Sequence, residues 1–275
     1  MIEVKTLHTD TFSINYICFG TGTKPFVILP GLSVQSVLNA KDAIVEAYNV
    51  FTKDYKVYLF ESRNELPSSF SIKEDREDMV KVFQLLGLKD IHLFGVSRGG
   101  MIAMDIAIHY PELIHKLVIA STPSILTKEQ FKIFDEWIHL GKEKKLEQLF
   151  LTMGEEIYPK ELFLSMKEMF IEASKTVTEE ELKRFLILTE SMRNYDVSNE
   201  LESIQCPICF LYDKQDHVFK ESPFQLIVEH LKDTKRFESY AYDGYGHALY
   251  DLAPDFKERI LKFLIQKNRR LSMSV

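Results

Sequence analysis

From residue 26 onward the sequence repeats one pattern, a short unbroken apolar run followed by a longer stretch with apolar residues three and four apart. The runs are "FVILP" (26–30), "KVYLFE" (56–61), "IHLFGV" (91–96), "KLVIAS" (116–121), "ICFLYD" (208–213) and "FESYAY" (237–242). Runs of this kind suit strands covered on both faces of a parallel sheet, and the stretches between them suit the covering helices. In "KEDREDMVKVFQLLG", for instance, Met79, Val80, Phe83 and Leu86 share a helical face and Gly87 ends the helix. The alternation predicts an α/β fold with a mostly parallel sheet and helices on both sides. Ahead of it, "IEVKTL" and "FSINYICFG", joined through "HTDT", carry β-formers and predict an antiparallel hairpin.

The rhythm breaks once. Between Ser121 and Pro207 no comparable strand run occurs, but four amphipathic helices do: "KEQFKIFDEWIHLGK", "KKLEQLFLTMGEEI", "PKELFLSMKEMFIEASK" and "TEEELKRFLILTESM". A structureless loop of that length is implausible in a compact domain. The expected organisation is a core of residues 1–123 and 201–275 with residues 124–200 inserted as a helical cap. The only tryptophan, Trp137, falls in the cap. Most apolar cap residues read as cap core, and Trp137 is also a candidate substrate contact because a cap's inner face commonly closes a pocket.

A formal net charge of -7 argues against nucleic acid as the main partner, since phosphate binding is driven by clustered Lys and Arg. The basic terminal stretch "KNRRLSMSV" is too short to reverse this and reads as a solvated helix end. No apolar run is long enough to span a bilayer, and "MIEVKTLHTD" lacks the layout of a signal peptide. Three cysteines, Cys18, Cys206 and Cys209, are not a disulfide framework and agree with a reducing compartment, so the expected location is the cytoplasm. The pair in "CPIC" reads as part of a buried strand, where positions three apart face opposite ways, and not as a redox or metal motif.

Ser97 sits in "GVSRG", a match to G-x-S-x-G placed between the strand "IHLFGV" and the helix "GGMIAMDIAIHY". Such a tight strand-to-helix turn lifts a serine hydroxyl above the sheet edge at a helix N-terminus. A serine needs a base to become nucleophilic and an acid to orient that base. His247 qualifies because "YDGYGHALYD" is a glycine-punctuated loop after the last strand run, on the same sheet edge as Ser97. His92, His109, His115, His139 and His230 read as surface or helix-end residues. For the acid, Asp216 in "YDKQDHVF" is preferred to Asp213, which belongs to the strand end; His217 is a rival base made awkward by its adjacency to Asp216. Oxyanion donors would be the backbone N–H groups of Arg98 and of Leu32, the latter in "FVILPGLSVQS" after Gly31.

Taken together, the strand-turn-helix around Ser97, the chain order Ser97, Asp216, His247 and the "GYGHALYDLAPDFKERILKFL" ending resemble the α/β-hydrolase fold over almost the whole chain. The resemblance implies an eight-stranded sheet, a cap after the sixth strand and serine-hydrolase chemistry with no cofactor and no metal. Two departures stand out: Pro30-Gly31 where members often carry His-Gly, and "FESRNELPSSFS" where the fourth strand commonly ends in Asp before a Gly-rich loop.

The leading functional reading is hydrolysis of a small carboxylic ester, thioester or related acyl substrate. One alternative uses the same triad for acyl transfer, C–C cleavage or elimination; another retains the fold as a non-catalytic ligand receptor. The Arg98 cation stands at a helix N-terminus, where the dipole disfavours it, so it either pairs with a carboxylate or meets an anionic substrate.

Overall fold

The computed structural model describes residues 2–234 and 236–266; the basic terminal stretch lies outside the described residues. Eight strands form one sheet: β1 (Lys5–His8), β2 (Ser13–Phe19), β3 (Lys24–Leu29), β4 (Tyr55–Phe60), β5 (Ile91–Val96), β6 (Ile114–Ala120), β7 (Ile208–Asp213) and β8 (Phe237–Tyr242). Their spatial order is β1-β2-β4-β3-β5-β6-β7-β8. The hairpin β1–β2 and the β2–β4 pair are antiparallel, and every later pairing is parallel.

The helices are α1 (Lys41–Ala47), α2 (Ile72–Leu85), α3 (Arg98–His109), α4 (Lys132–Lys142), α5 (Leu146–Ile157), α6 (Lys160–Ser174), α7 (Glu179–Glu190), α8 (Glu221–Leu231), α9 (Leu249–Leu252) and α10 (Phe256–Ile265). In the middle of the sheet both faces are dry, as the unbroken apolar runs require, whereas the edge strands β1 and β8 are partly exposed, so "FESYAY" is not covered on both faces. On one face Leu93, Leu117 and Phe210 meet Met79 and Phe83 of α2, Met101 and Ile106 of α3 and Phe224 of α8. On the other, Phe94, Val118 and Leu211 meet Phe256 and Ile260 of α10. Cys206 packs into the first cluster and Cys209 into the second, both as free thiols whose pKa burial raises, that of Cys206 to about 12. That is the two-sided geometry of a buried strand.

Helix starts follow local chemistry. Ser71 caps α2 by accepting from the Glu74 N–H, and Thr178 with Glu181 forms a reciprocal capping box at α7. Helices α4 to α7 occupy the long interval between β6 and β7. The two ends of that interval meet at one seam, where Leu126 N–H donates to Tyr195, Val197 N–H donates to Ser124, and Ile125 and Asp196 form an antiparallel bridge. The Tyr195 hydroxyl then ties that seam to the Met101 carbonyl of α3. No helix of the described residues is long and apolar enough to cross a membrane.

Candidate active site

At the end of β5 the chain must reverse into α3 within one residue, and Ser97 makes the turn at φ 53°, ψ -123°. A non-glycine residue at positive φ is strained, and the packing around it leaves no slack. A β-carbon on Gly95 would lie 2.4 Å from the Gly99 carbonyl oxygen, and one on Gly99 would lie 2.0 Å from the Leu29 carbonyl oxygen. Backbone therefore presses on backbone on both sides of the elbow. Gly100 makes room for the Thr122 side chain after β6, at 2.6 Å from a β-carbon there, rather than for the strand itself. The Ser97 amide donates to Ala120 at 2.9 Å, which anchors the turn to β6. Although Ser97 occupies the N-cap position of α3, its hydroxyl caps nothing. It faces His247 instead, with Nε2 3.0 Å from Oγ.

His247 and Asp216 come from the loops after β8 and β7. His247 Nδ1 lies 2.8 Å from Asp216 Oδ2, and the second Asp216 oxygen accepts the Phe219 amide at 3.0 Å. Asp213, the last residue of β7, plays a different part, for its carboxylate accepts the amides of Gln215, Gly244 and Tyr245 and so fastens the two loops together. Ser121, at φ 45° and fully buried, donates its hydroxyl to the His247 carbonyl at 3.0 Å. Nothing in the sequence marked Ser121, whose signal is only its place at the end of β6. The three side chains of the relay are 8%, 4% and 2% exposed for Ser97, His247 and Asp216.

The loop after β3 runs against Ser97. A β-carbon on Gly31 would lie 3.2 Å from Ser97 Cβ and 3.7 Å from its Oγ, a tight contact, so glycine lets the segment carrying Leu32 lie close without displacing Ser97, although Gly31 itself has no positive φ. Arg98 is the first residue of α3, and its N–H is one of the four that a helix leaves without an intrahelical acceptor.

The Arg98 side chain is met by a carboxylate. Its Nη2 lies 2.7 Å from Asp75 Oδ2, Nη1 donates to Ser62 Oγ, and Nε donates to the Leu188 carbonyl of α7 and to Ser191 Oγ just after that helix. Arg184 of α7 reaches the same corner, donating to the carbonyls of Ser62 at 2.7 Å and Arg63 at 2.5 Å, and burial pushes its pKa down. These two guanidiniums bolt α7 to the core.

Two expectations need correction. Trp137 does not line the cavity beside the loop after β3; it is 2% exposed in a large apolar cluster, edge-on to Phe134 at 5.1 Å, with its indole N–H unpartnered. An amphipathic helix turns its largest apolar side chain inward, and here inward is packing. His92 is no surface residue either. It is buried between the rings of Tyr55 and His115, and desolvation lowers its pKa to about 3, with the neighbouring cations adding to the effect. Helices cover both faces of β5, so every side chain of that strand is enclosed. Among the described residues no three His, Cys, Asp or Glu side chains group as metal ligands.

Comparison with known proteins points one way. The family model for the alpha/beta hydrolase fold matches residues 24–254. A Caulobacter segnis protein named "Putative carbamate hydrolase RutD" is 25% identical over 225 residues, which cover 81% of this chain and 83% of that protein. 3-Oxoadipate enol-lactonase 2 of Acinetobacter baylyi is 22% identical over 231 residues, covering 82% of this chain and 84% of the lactonase. Among solved structures, MGS-M2, an alpha/beta hydrolase enzyme from a Medee basin deep-sea metagenome library, superposes with a TM-score of 0.85 at 22% identity, over 96% of this chain and 98% of its own. The chain belongs to the α/β-hydrolase fold family and is an enzyme of that family.

Proposed function

We propose that the enzyme is a serine hydrolase cleaving small carboxylic esters, thioesters or related acyl compounds through an acyl-enzyme on Ser97. The observation that carries this reading is the relay of 3.0 Å and 2.8 Å from Ser97 Oγ through His247 to Asp216. His247 Nε2 takes the Ser97 proton as Oγ attacks the carbonyl carbon, and Asp216 holds Nδ1 protonated and stabilises the imidazolium without itself taking the proton. The tetrahedral oxyanion accepts from the N–H groups of Leu32 and Arg98. Collapse expels the leaving group, which receives the proton from His247. Water then gives a proton to His247, attacks the acyl carbon and releases the acid, and His247 returns the proton to Ser97.

The names of the relatives, a carbamate hydrolase and an enol-lactonase, support an acyl substrate of this class. Residues 124–200 act as the cap over the site, and the seam at Ile125 and Asp196 is where a lid would pivot. The three free cysteines support the expectation of a reducing, cytoplasmic setting.

The test is labelling with a fluorophosphonate together with turnover of short p-nitrophenyl esters, in parallel with Ser97→Ala. Labelling and turnover that both vanish in the variant are the expected result. Absence of both in the parent enzyme sinks the reading, and labelling without ester turnover assigns the same triad to another reaction.

A further inference from the structure

The His247 ring is hydrogen-bonded at each nitrogen, to Asp216 through Nδ1 and to Ser97 through Nε2. Anchored at Nδ1 alone, an imidazole can still swing about that bond, and the swing carries Nε2 out of line with Ser97 Oγ. Ser121 fixes the His247 main chain through its carbonyl and leaves the plane of the ring alone. Keeping a base aligned on a hydroxyl therefore calls for a contact on the ring itself.

Phe219 makes that contact. Its ring centroid lies 5.3 Å from that of the imidazole with 66° between the planes, an edge-to-face arrangement that aromatic pairs favour. Among the described residues no other aromatic ring pairs with His247. The Phe219 side chain is fully buried and is itself packed, 5.8 Å from Phe134 of α4 and 6.4 Å from Phe224 of α8. A close-packed interior resists displacement, so a ring held in this way acts as a stiff stop. The same residue also reaches the acid, for its amide donates to Asp216 Oδ1 at 3.0 Å while Oδ2 faces His247. Phe219 thus touches the carboxylate with its main chain and the imidazole with its side chain.

We propose that Phe219 is a positioning residue of the relay, whose ring fixes the plane of the His247 imidazole so that Nε2 stays aimed at Ser97 Oγ. The side chain can neither give nor take a proton, so its whole effect is on geometry. The inference rests on the serine-hydrolase reading for its effect on rate, whereas the restraint on the ring does not depend on it. A methionine fills much of the same space, but its flexible chain cannot hold a plane.

The experiment compares Phe219→Met with Phe224→Met, since Phe224 is equally buried, packs on Phe210, Tyr212 and Phe219, and meets no member of the relay. Both variants should lower Tm. Only Phe219→Met should slow fluorophosphonate labelling and lower kcat for p-nitrophenyl butanoate, by about ten- to a hundred-fold with KM unmoved. Phe219→Tyr, which keeps the ring but buries a hydroxyl, should label near the parental rate in spite of a lower Tm. Equal slowing in the two methionine variants, or slowing in neither, overturns the proposal. Should Phe219→Met fail to fold, Phe219→Leu takes its place. Proton NMR supplies a readout that needs no turnover. The His247 Nδ1–H resonance, identified by its loss in His247→Gln, should be sharp in the parent and in Phe224→Met and broadened by exchange with water in Phe219→Met. Equal sharpness in all three, or no such resonance in the parent, overturns the restraint. If the parent is neither labelled nor active the hydrolase reading fails, and this resonance still decides the role of Phe219.

Discussion

Ser97 stands between two buried polar networks that are built on different terms. On the His247 side, Asp216 and Ser97 each meet a ring nitrogen, and the remaining Asp216 oxygen is taken up by a backbone amide. On the Arg98 side an equally buried ion pair leaves one carboxylate oxygen open. A closed network fixes a geometry and suits proton movement between its own members. The other holds its charges together at the cost of one buried acceptor left without a donor.

Substitution can break either side of this comparison. The largest effect belongs to Asp216→Asn, which keeps the shape but lets the imidazole take the wrong tautomer. The expectation is a fall in kcat of about four orders of magnitude at unchanged KM, read by steady-state kinetics. A loss under ten-fold would show that something else orients His247. Next comes Arg98→Met, which strands Asp75 as an unpaired buried charge and should lower the unfolding free energy by about 3–5 kcal/mol in chemical denaturation. Arg98→Met combined with Asp75→Leu should recover most of it; a double variant as weak as the single one would mean the pair is not coupled.

A smaller effect separates strain from hydrogen bonding at Ser121. Ser121→Ala removes the donor to the His247 carbonyl and should cost about 1 kcal/mol, with fluorophosphonate labelling slowed several-fold and KM unmoved. Ser121→Gly also removes that donor but relaxes the positive φ. Equal slowing in both variants assigns the effect to the hydrogen bond, whereas normal labelling in the glycine variant assigns it to the backbone. Smallest of all is the acid response of His92, far from both networks. With its folded-state pKa near 3 and an unfolded value of about 6.5, the unfolded chain alone binds the proton between those limits. Stability therefore falls as pH drops through that window, and His92→Phe should flatten the decline of Tm from pH 7 to pH 4.

The His247 side was legible in the sequence and the Arg98 side was not, for a physical reason. Asp216 and His247 lie in glycine- and aspartate-marked loops at strand ends, where order along the chain dictates which edge they reach. Asp75, Arg76 and Asp78 sit in "KEDREDMV", which reads as a solvated helix face because only the apolar residues of a helix reveal its buried stripe. All three are buried, held by Arg98, Asp105 and Arg63, partners too remote in sequence for helical spacing to reveal them. The departure at "FESRNELP" has the same origin: Arg63 grips Asp78 with both its Nε and Nη2, and Ser62 joins the Asp75 pair. The inner strands were legible because enclosure on both faces leaves unbroken apolar runs, whereas β8, read as one of those runs, is a half-exposed edge strand. That same enclosure is what hid His92, a polar residue the pattern would sooner have placed outside.

Trp137 lies at one end of a ladder of rings: it touches Phe134, Phe134 lies 5.8 Å from Phe219, and Phe219 lies 5.3 Å from His247. Because the chain carries a single tryptophan, its entire indole emission originates at this one point. The ring is 2% exposed, so it emits from an apolar setting, and solvent reaching it shifts that emission to the red. Intrinsic fluorescence therefore reports, without any attached dye, on the packing of an aromatic row whose far end is His247.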